Sequence, residues 1–131
     1  MSRSTERLRR YLEEELEECR AEDVDGRLAE LERLQNVADA NRVEEHVAVL
    51  SGLANETRYR LVRALVAADG ELCVCELHPL VDVSESAVSH AMSSLVDAGL
   101  ATRRKDGKWR KYESSALAER LVGALGGGDA A

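Results

Sequence analysis

Apolar residues recur at spacings of three and four along most of this chain, which is the period of an amphipathic helix. Such stripes predict helices at residues 3–22, 28–38, 41–54, 58–68, 72–81, 85–98 and 114–125. The polar run at 23–26 is expected to separate the first two helices. Residues 100–105 and 108–112 predict two short strands, and the Asp106-Gly107 pair between them favours a tight hairpin turn. The chain is therefore expected to be mainly α-helical with one small β-hairpin.

The order helix, tight turn, helix and basic hairpin is that of a winged helix-turn-helix. Residues 41–126 are expected to form this DNA-binding and dimerisation domain. Residues 1–40 then form an N-terminal helical extension, which serves either as a dimer arm or as a solvated pair of helices. The remaining residues, 127–131, are expected to be a flexible tail. The apolar stripe of the last helix, at 114–125, is expected to meet a second copy of the chain.

Basic residues are concentrated in the predicted hairpin, although the chain as a whole carries a net charge of −7. An acidic body with one basic strip is typical of local contact with DNA phosphates. The candidate contacts on the hairpin are Arg103, Arg104, Lys105, Lys108, Arg110 and Lys111. The helix at 85–98 presents small polar side chains that could enter a major groove. Its candidate contacts are Ser84, which is also a good N-cap, Ser86, Ser89 and His90.

The chain contains no stretch that approaches the roughly 18 consecutive apolar residues of a membrane span, and its N-terminus is polar. We therefore expect a cytoplasmic protein without a membrane partner. The sequence also shows no nucleophile paired with a base, no phosphate-binding loop and no paired carboxylates in a catalytic arrangement. Neither an enzyme nor an obligatory cofactor is expected, and there is no candidate catalytic residue.

Two of the three cysteines form a Cys73-Val74-Cys75 motif at the start of the helix predicted at 72–81. In a reducing compartment such a pair is more often a metal or redox site than a structural disulfide. Residues two apart on a regular helix point about 200° away from each other, so chelation would require a distorted first turn. Cys75 and His78 are three apart and share a helical face.

Five motifs follow one another in an order and spacing that resemble the ArsR/SmtB family. They are Leu53-Ala54-Asn55-Glu56-Thr57-Arg58, Glu71-Leu72-Cys73-Val74-Cys75-Glu76-Leu77, Val83-Ser84-Glu85-Ser86-Ala87-Val88-Ser89-His90, Asp97-Ala98-Gly99-Leu100 and Asp106-Gly107-Lys108-Trp109. The resemblance covers about residues 43–125. It implies a homodimeric winged helix that represses transcription by binding an inverted repeat in double-stranded DNA. It also implies that binding of a metal or metalloid ion releases this operator.

The resemblance further implies a set of sulfur ligands. The metalloid-sensing branch of the family has the same Cys-Val-Cys and a third cysteine where this chain has His78. The cadmium and lead branch adds cysteines from an N-terminal arm of the other subunit, and this chain has Cys19 in such an arm. Cys73, Cys75 and Cys19 would suit arsenite or antimonite, and possible alternatives are lead and, with His78 as a fourth ligand, cadmium or zinc.

The chain departs from the family pattern at two positions. Asp82 replaces the usual glycine in the turn, and the recognition helix lacks the arginine that many members carry after the residue equivalent to Ser89. Two alternatives to metal sensing also stay open, both of them winged-helix regulators. One responds to oxidation of the Cys73 and Cys75 thiols, and the other is constitutive.

Overall fold

The computed structural model describes residues 3–39 and 41–126. In chain order the elements are α1 Arg3–Glu15, α2 Ala21–Ala38, α3 Val43–Leu53, α4 Glu56–Ala67, β1 Leu72–Cys73, α5 Val74–Leu77, a 3-10 turn His78–Leu80, α6 Glu85–Asp97, β2 Ala101–Asp106, β3 Trp109–Ser114 and α7 Ala116–Ala124. The flexible tail expected at residues 127–131 lies outside the described part of the chain. Among the described helices, none is long and apolar enough to cross a bilayer.

The first of two compact units ends at Val43 and contains the helix pair α1 and α2. Leu12 of α1 and Val24 of α2 are the buried residues of this pair. The break between the two helices was predicted at residues 23–26, and this prediction is wrong: α1 ends at Glu15 and α2 begins at Ala21. The reason is that Asp23 acts as a cap, because its Oδ2 accepts a hydrogen bond of 2.8 Å from the backbone N–H of Arg20.

The second unit is a winged helix-turn-helix, as the sequence predicted. Its core consists of apolar residues from α4, α5, α6 and α7 and from the sheet. The largest fully buried side chains are Tyr112, Leu61, Leu65, Leu77, Met92, Leu95, Leu100, Val62, Val88 and Val122. The sheet has three antiparallel strands in the order β1-β3-β2. Tyr112 of β3 is buried, and this burial fixes the hairpin to the helical core.

The hairpin turn is one residue later than the sequence predicted. Asp106 pairs with Trp109, so the two residues of the loop are Gly107 and Lys108. Gly107 has a φ of +64°, whereas Asp106 is not in the left-handed region. A glycine at the first loop position is typical of a type II′ turn, whose twist matches that of the strands.

The helix predicted at 72–81 is replaced by three short elements. Leu72 and Cys73 form strand β1, α5 begins only at Val74, and a 3-10 turn containing Pro79 completes the segment. Cys73 has an extended backbone with φ −88° and ψ 167°. Chelation was expected to require a distorted first turn, and this segment is distorted in that way, because Cys73 and Cys75 do not share a regular helix.

Candidate functional site

The recognition helix α6 is fixed to the core by one face and leaves a polar face outside. Ser84 caps the helix, since its Oγ accepts a hydrogen bond of 3.1 Å from the backbone N–H of Ala87. The inward face consists of Val88, Met92 and Leu95, all fully buried. Of the predicted DNA contacts, Ser84, Ser86 and His90 are exposed and Ser89 is half-buried. Small exposed side chains allow a helix to approach base edges closely in a major groove.

The wing, formed by β2 and β3, carries the six predicted basic contacts. Five of them are exposed and Lys111 is half-buried. Arg104 and Lys111 are opposite each other in the register of the two strands, as are Lys105 and Arg110. Bases on both strands of one hairpin produce a compact region of positive potential, which is suited to contact with phosphates.

Three of these bases already have partners inside the protein. Arg104 donates from Nε and Nη2 to both carboxylate oxygens of Glu71, at distances of 2.7 to 3.2 Å. Lys111 Nζ lies 3.1 Å from Asp106 Oδ2. Lys108 Nζ lies 5.2 Å from the centroid of the Trp109 ring, which is a cation–π distance.

The ion pairs change the acidity of the carboxylates. The hydrogen bonds from Arg104 lower the pKa of Glu71, and the Glu71 carboxylate raises the pKa of Arg104 in turn. Lys111, by hydrogen bond and by charge, lowers the pKa of Asp106. Both carboxylates are therefore ionised at neutral pH, and both ion pairs are present under those conditions.

The Cys73 and Cys75 side chains meet, as the irregular start of α5 allows. Their Cα atoms are 5.3 Å apart and the structure joins their sulfurs as a disulfide. Cys73 is buried at the end of β1, and Cys75 is exposed in α5. The backbone N–H of Cys73 donates to Glu76 Oε1 at 3.1 Å, which holds the turn between the two cysteines. This turn presents two sulfurs at one point.

A cavity of about 230 Å³ adjoins the thiol pair. Its lining combines Cys73 and Cys75 with Ser89 of α6 and with Trp109 and Arg110 of the wing. An ion bound by the two sulfurs would therefore lie beside residues of both the recognition helix and the wing.

The other two predicted ligands are placed differently. His78 Nε2 lies 3.0 Å from the carbonyl oxygen of Val83, so this nitrogen carries the proton and donates to the backbone. Cys19 lies between α1 and α2, in the first compact unit, and is half-buried. Within one chain, no group of three or more His, Cys, Asp or Glu side chains at residues 3–39 and 41–126 is arranged to hold a metal ion.

Sequence reasoning did not identify Glu71 and Trp109 as part of this site. Glu71 contacts a residue 33 positions away in the chain, and no local pattern indicates such a pair. Trp109 follows the hairpin turn and could have been noted as a half-exposed aromatic beside basic residues, with 49% of its surface exposed.

Comparison with protein families gives one match, which covers the helix-turn-helix and the start of the wing. Residues 55–103 match the family described as bacterial regulatory protein, arsR family. A protein of Halobacterium salinarum named as a repressor of an arsenical resistance operon is 56% identical over 124 residues. That alignment covers 95% of this chain and 96% of the relative.

Solved structures show the same fold. One, described as a possible transcriptional regulator for arsenical resistance, has a TM-score of 0.51 and is 38% identical in sequence. The match covers 59% of this chain and 78% of the chain in that structure. Another is a homodimeric winged helix-turn-helix DNA-binding domain from Mycobacterium bovis. Its TM-score is 0.59 at 20% identity, and the match covers 67% of this chain and 84% of that domain.

Proposed function

The chain belongs to the ArsR family of bacterial regulatory proteins, and from this premise we propose that it is a repressor whose operator affinity falls when arsenite or antimonite binds to Cys73 and Cys75. The family consists of transcriptional regulators and not of enzymes. The observation that carries the proposal is the meeting of the two cysteine side chains beside the recognition helix and the wing. The name of the Halobacterium salinarum relative supports an arsenical as the effector.

The proposed DNA contacts follow from exposure. Ser84, Ser86, Ser89 and His90 of the recognition helix contact base edges and phosphates in a major groove. Arg103, Lys105 and Arg110 of the wing, which have no ion-pair partner among the described residues, contact the DNA backbone. Arg104, Lys108 and Lys111 contribute positive charge near the DNA. Their positions are fixed by contacts with Glu71, Trp109 and Asp106, respectively. Two copies related by a two-fold axis would bind the halves of an inverted repeat.

The dimer proposed for this chain would use exposed apolar residues of its second unit. Leu50 of α3 is 58% exposed and Leu125, just after α7, is 70% exposed. Val47, three residues before Leu50 on the same face of α3, is 55% exposed, and apolar side chains exposed together are typical of surfaces that become covered on association. The homodimeric state of the Mycobacterium bovis domain supports the same assembly. In this proposal residues 41–126 form the DNA-binding and dimerisation domain, and residues 1–40 form an arm that reaches the partner subunit.

Arsenite capture requires reduced thiols. Each sulfur displaces one hydroxyl group of arsenous acid and its proton leaves with that hydroxyl as water, so that no oxidant is consumed. Cys73 and Cys75 supply two sulfurs, and Cys19 of the partner subunit would supply a third. His78 would act as a further ligand only for cadmium or zinc, and only through Nδ1 while its Nε2 donates to Val83.

A second candidate function is favoured by one observation, the bond between the sulfurs of Cys73 and Cys75 in this structure. In that case oxidation of the pair, not capture of an ion, would lower operator affinity. The two candidates use the same residues and differ in the reagent that releases DNA.

The test is an operator gel shift with fully reduced protein. We expect arsenite and antimonite to release the operator from wild-type protein and to leave Cys73→Ser and Cys75→Ser bound. Cys19→Ser measures the contribution of the arm, and cadmium and zinc serve as comparison ions. Release by peroxide alone, with no effect of any ion, would favour the redox candidate. If neither an ion nor an oxidant releases the wild-type protein, both candidates are wrong.

A further inference from the structure

Cys73 is part of the same sheet as the wing. Strand β1 pairs with β3, and in this register Cys73 is opposite Lys111 while Leu72 is opposite Tyr112. Lys111 is in turn opposite Arg104 on β2. One sulfur ligand and two basic residues of the wing therefore lie in neighbouring positions of a single three-stranded sheet.

Glu71 adds a second connection across this sheet. It immediately precedes β1, and its carboxylate holds Arg104 of β2 through both oxygens. Because β3 lies between β1 and β2, this ion pair joins the two outer strands over the central one. Paired hydrogen bonds between an arginine and a carboxylate fix direction as well as distance, so the two groups move together.

We propose that Glu71 is a positioning residue through which the thiol pair controls the wing: ligand capture displaces Cys73, and the Glu71–Arg104 ion pair and the β1–β3 pairing carry this displacement to the basic hairpin. The inference rests on the proposed function and specifies the route of its regulation. The position of Cys73 on a strand of the wing sheet favours this route over one through the short helix α5, which packs against α6.

The physical step is small and local. Glu71 is two residues from Cys73, so a backbone shift at Cys73 moves the Glu71 carboxylate with it. Arg104 then follows or loses one of its hydrogen bonds, and either result changes where the hairpin presents its charges. The cavity at the thiol pair supports this route, because Lys108, Trp109 and Arg110 of the wing line it together with Cys73.

The chain offers a matched control for Glu71. Asp106 is also a carboxylate paired with a base of the wing, since its Oδ2 lies 3.1 Å from Lys111 Nζ. It lies at the hairpin end of β2 and not beside β1. Glu71→Gln and Asp106→Asn each remove one negative charge near the DNA-binding surface. Asp106 Oδ2 also lies 3.9 Å from Arg104 Nη2, but only Glu71 joins Arg104 to the segment that carries Cys73.

The experiment measures operator affinity with and without arsenite in wild-type protein, Glu71→Gln and Asp106→Asn. We expect all three to bind arsenite equally, as followed by ultraviolet thiolate–arsenic absorption. The release ratio is defined as the operator Kd with arsenite divided by the Kd without it. We expect this ratio to fall about tenfold in Glu71→Gln, which is within the usual range of coupling between two sites, and to be unchanged in Asp106→Asn.

The salt dependence of binding gives a readout that a purely structural role of Glu71 would not move. In wild-type protein arsenite should make the slope of log K against log salt concentration less steep by about one. This change corresponds to the loss of one phosphate contact. In Glu71→Gln the slope should be the same with and without arsenite. Arg104→Gln removes the other partner of the same ion pair and should give the same reduced release ratio. It therefore tests the inference even if Glu71→Gln folds poorly.

Three results would overturn the inference. One is a wild-type release ratio in both Glu71→Gln and Arg104→Gln, and another is an equal loss in Asp106→Asn, which would indicate a general effect of charge. The third is loss of arsenite binding in Glu71→Gln, since Glu71 would then act on capture and not on transmission. Failure of arsenite to release wild-type protein is a different result, because it would contradict the proposed function itself.

Discussion

Individual side chains divide the bases of the wing into two groups. Arg104, Lys108 and Lys111 are held by Glu71, Trp109 and Asp106, respectively. Arg103, Lys105 and Arg110 are exposed, with no ion pair to any residue that the structure describes. The held bases fix the shape of the hairpin, and the other three can exchange water for phosphate oxygens without first breaking an internal contact.

The ion pair between Glu71 and Arg104 predicts a specific pH dependence. The pKa of Glu71 is lowered in the folded protein, so the pair stabilises the fold above about pH 4.3, the value of an unperturbed glutamate. This stabilisation is lost as the pH falls through the lowered pKa. In Arg104→Gln we expect the pKa of Glu71 to rise towards its ordinary value. Carboxyl NMR titration measures this, and an unchanged Glu71 midpoint in the variant would show that the pair does not form in solution.

Short elements with precise ends determine the geometry of the site. The recognition helix begins at a serine cap, and the segment before it combines two residues of strand, four of helix and a 3-10 turn. This sequence of elements leaves Cys73 extended and Cys75 helical, so their sulfurs meet. A regular helix over the same residues would have separated them.

The cap of the recognition helix predicts a measurable loss of stability. Ser84→Ala removes the acceptor for the Ala87 N–H, and we expect the free energy of unfolding to fall by about 1 kcal/mol in urea denaturation. Ser86→Ala is the control, because Ser86 is exposed in the first turn of the same helix. If both variants unfold at the same urea concentration, the cap contributes nothing in solution.

The whole molecule leaves apolar side chains on its surface. In the second unit Val47 and Leu50 of α3 are more than half exposed, as is Leu125. The core of that unit is complete without them, since α4, α6, α7 and the sheet bury their own apolar faces. These residues are therefore available to the proposed dimer interface.

A charged side chain on this surface should prevent association. We expect Leu50→Glu to change the sedimentation of the protein from dimer to monomer and to weaken operator binding, because one buried apolar contact would become a buried charge in each subunit. Leu80→Glu is the matched control: Leu80 is 53% exposed, in the 3-10 turn, and its substitution should leave the dimer intact. A dimeric Leu50→Glu protein would exclude α3 from the interface.

The sequence by itself determined the architecture of this protein. The helical stripes, the serine cap and the glycine of the hairpin predict a winged helix-turn-helix, because each depends on interactions between residues close in the chain. The motif Cys73-Val74-Cys75 and the basic hairpin also marked the regions where function is proposed. Helix ends were less well predicted: Asp23 was interpreted as part of a break and instead caps a helix.

Only the tertiary structure decided how these regions meet. Cys73 is extended and not helical because β1 pairs with β3, almost 40 residues later in the chain. Glu71 contacts Arg104 for the same reason, since the sheet brings distant residues side by side. Such pairs have no periodicity that a local pattern could reveal. The connection between the thiol pair and the wing is therefore a property of strand pairing, which depends on the whole fold.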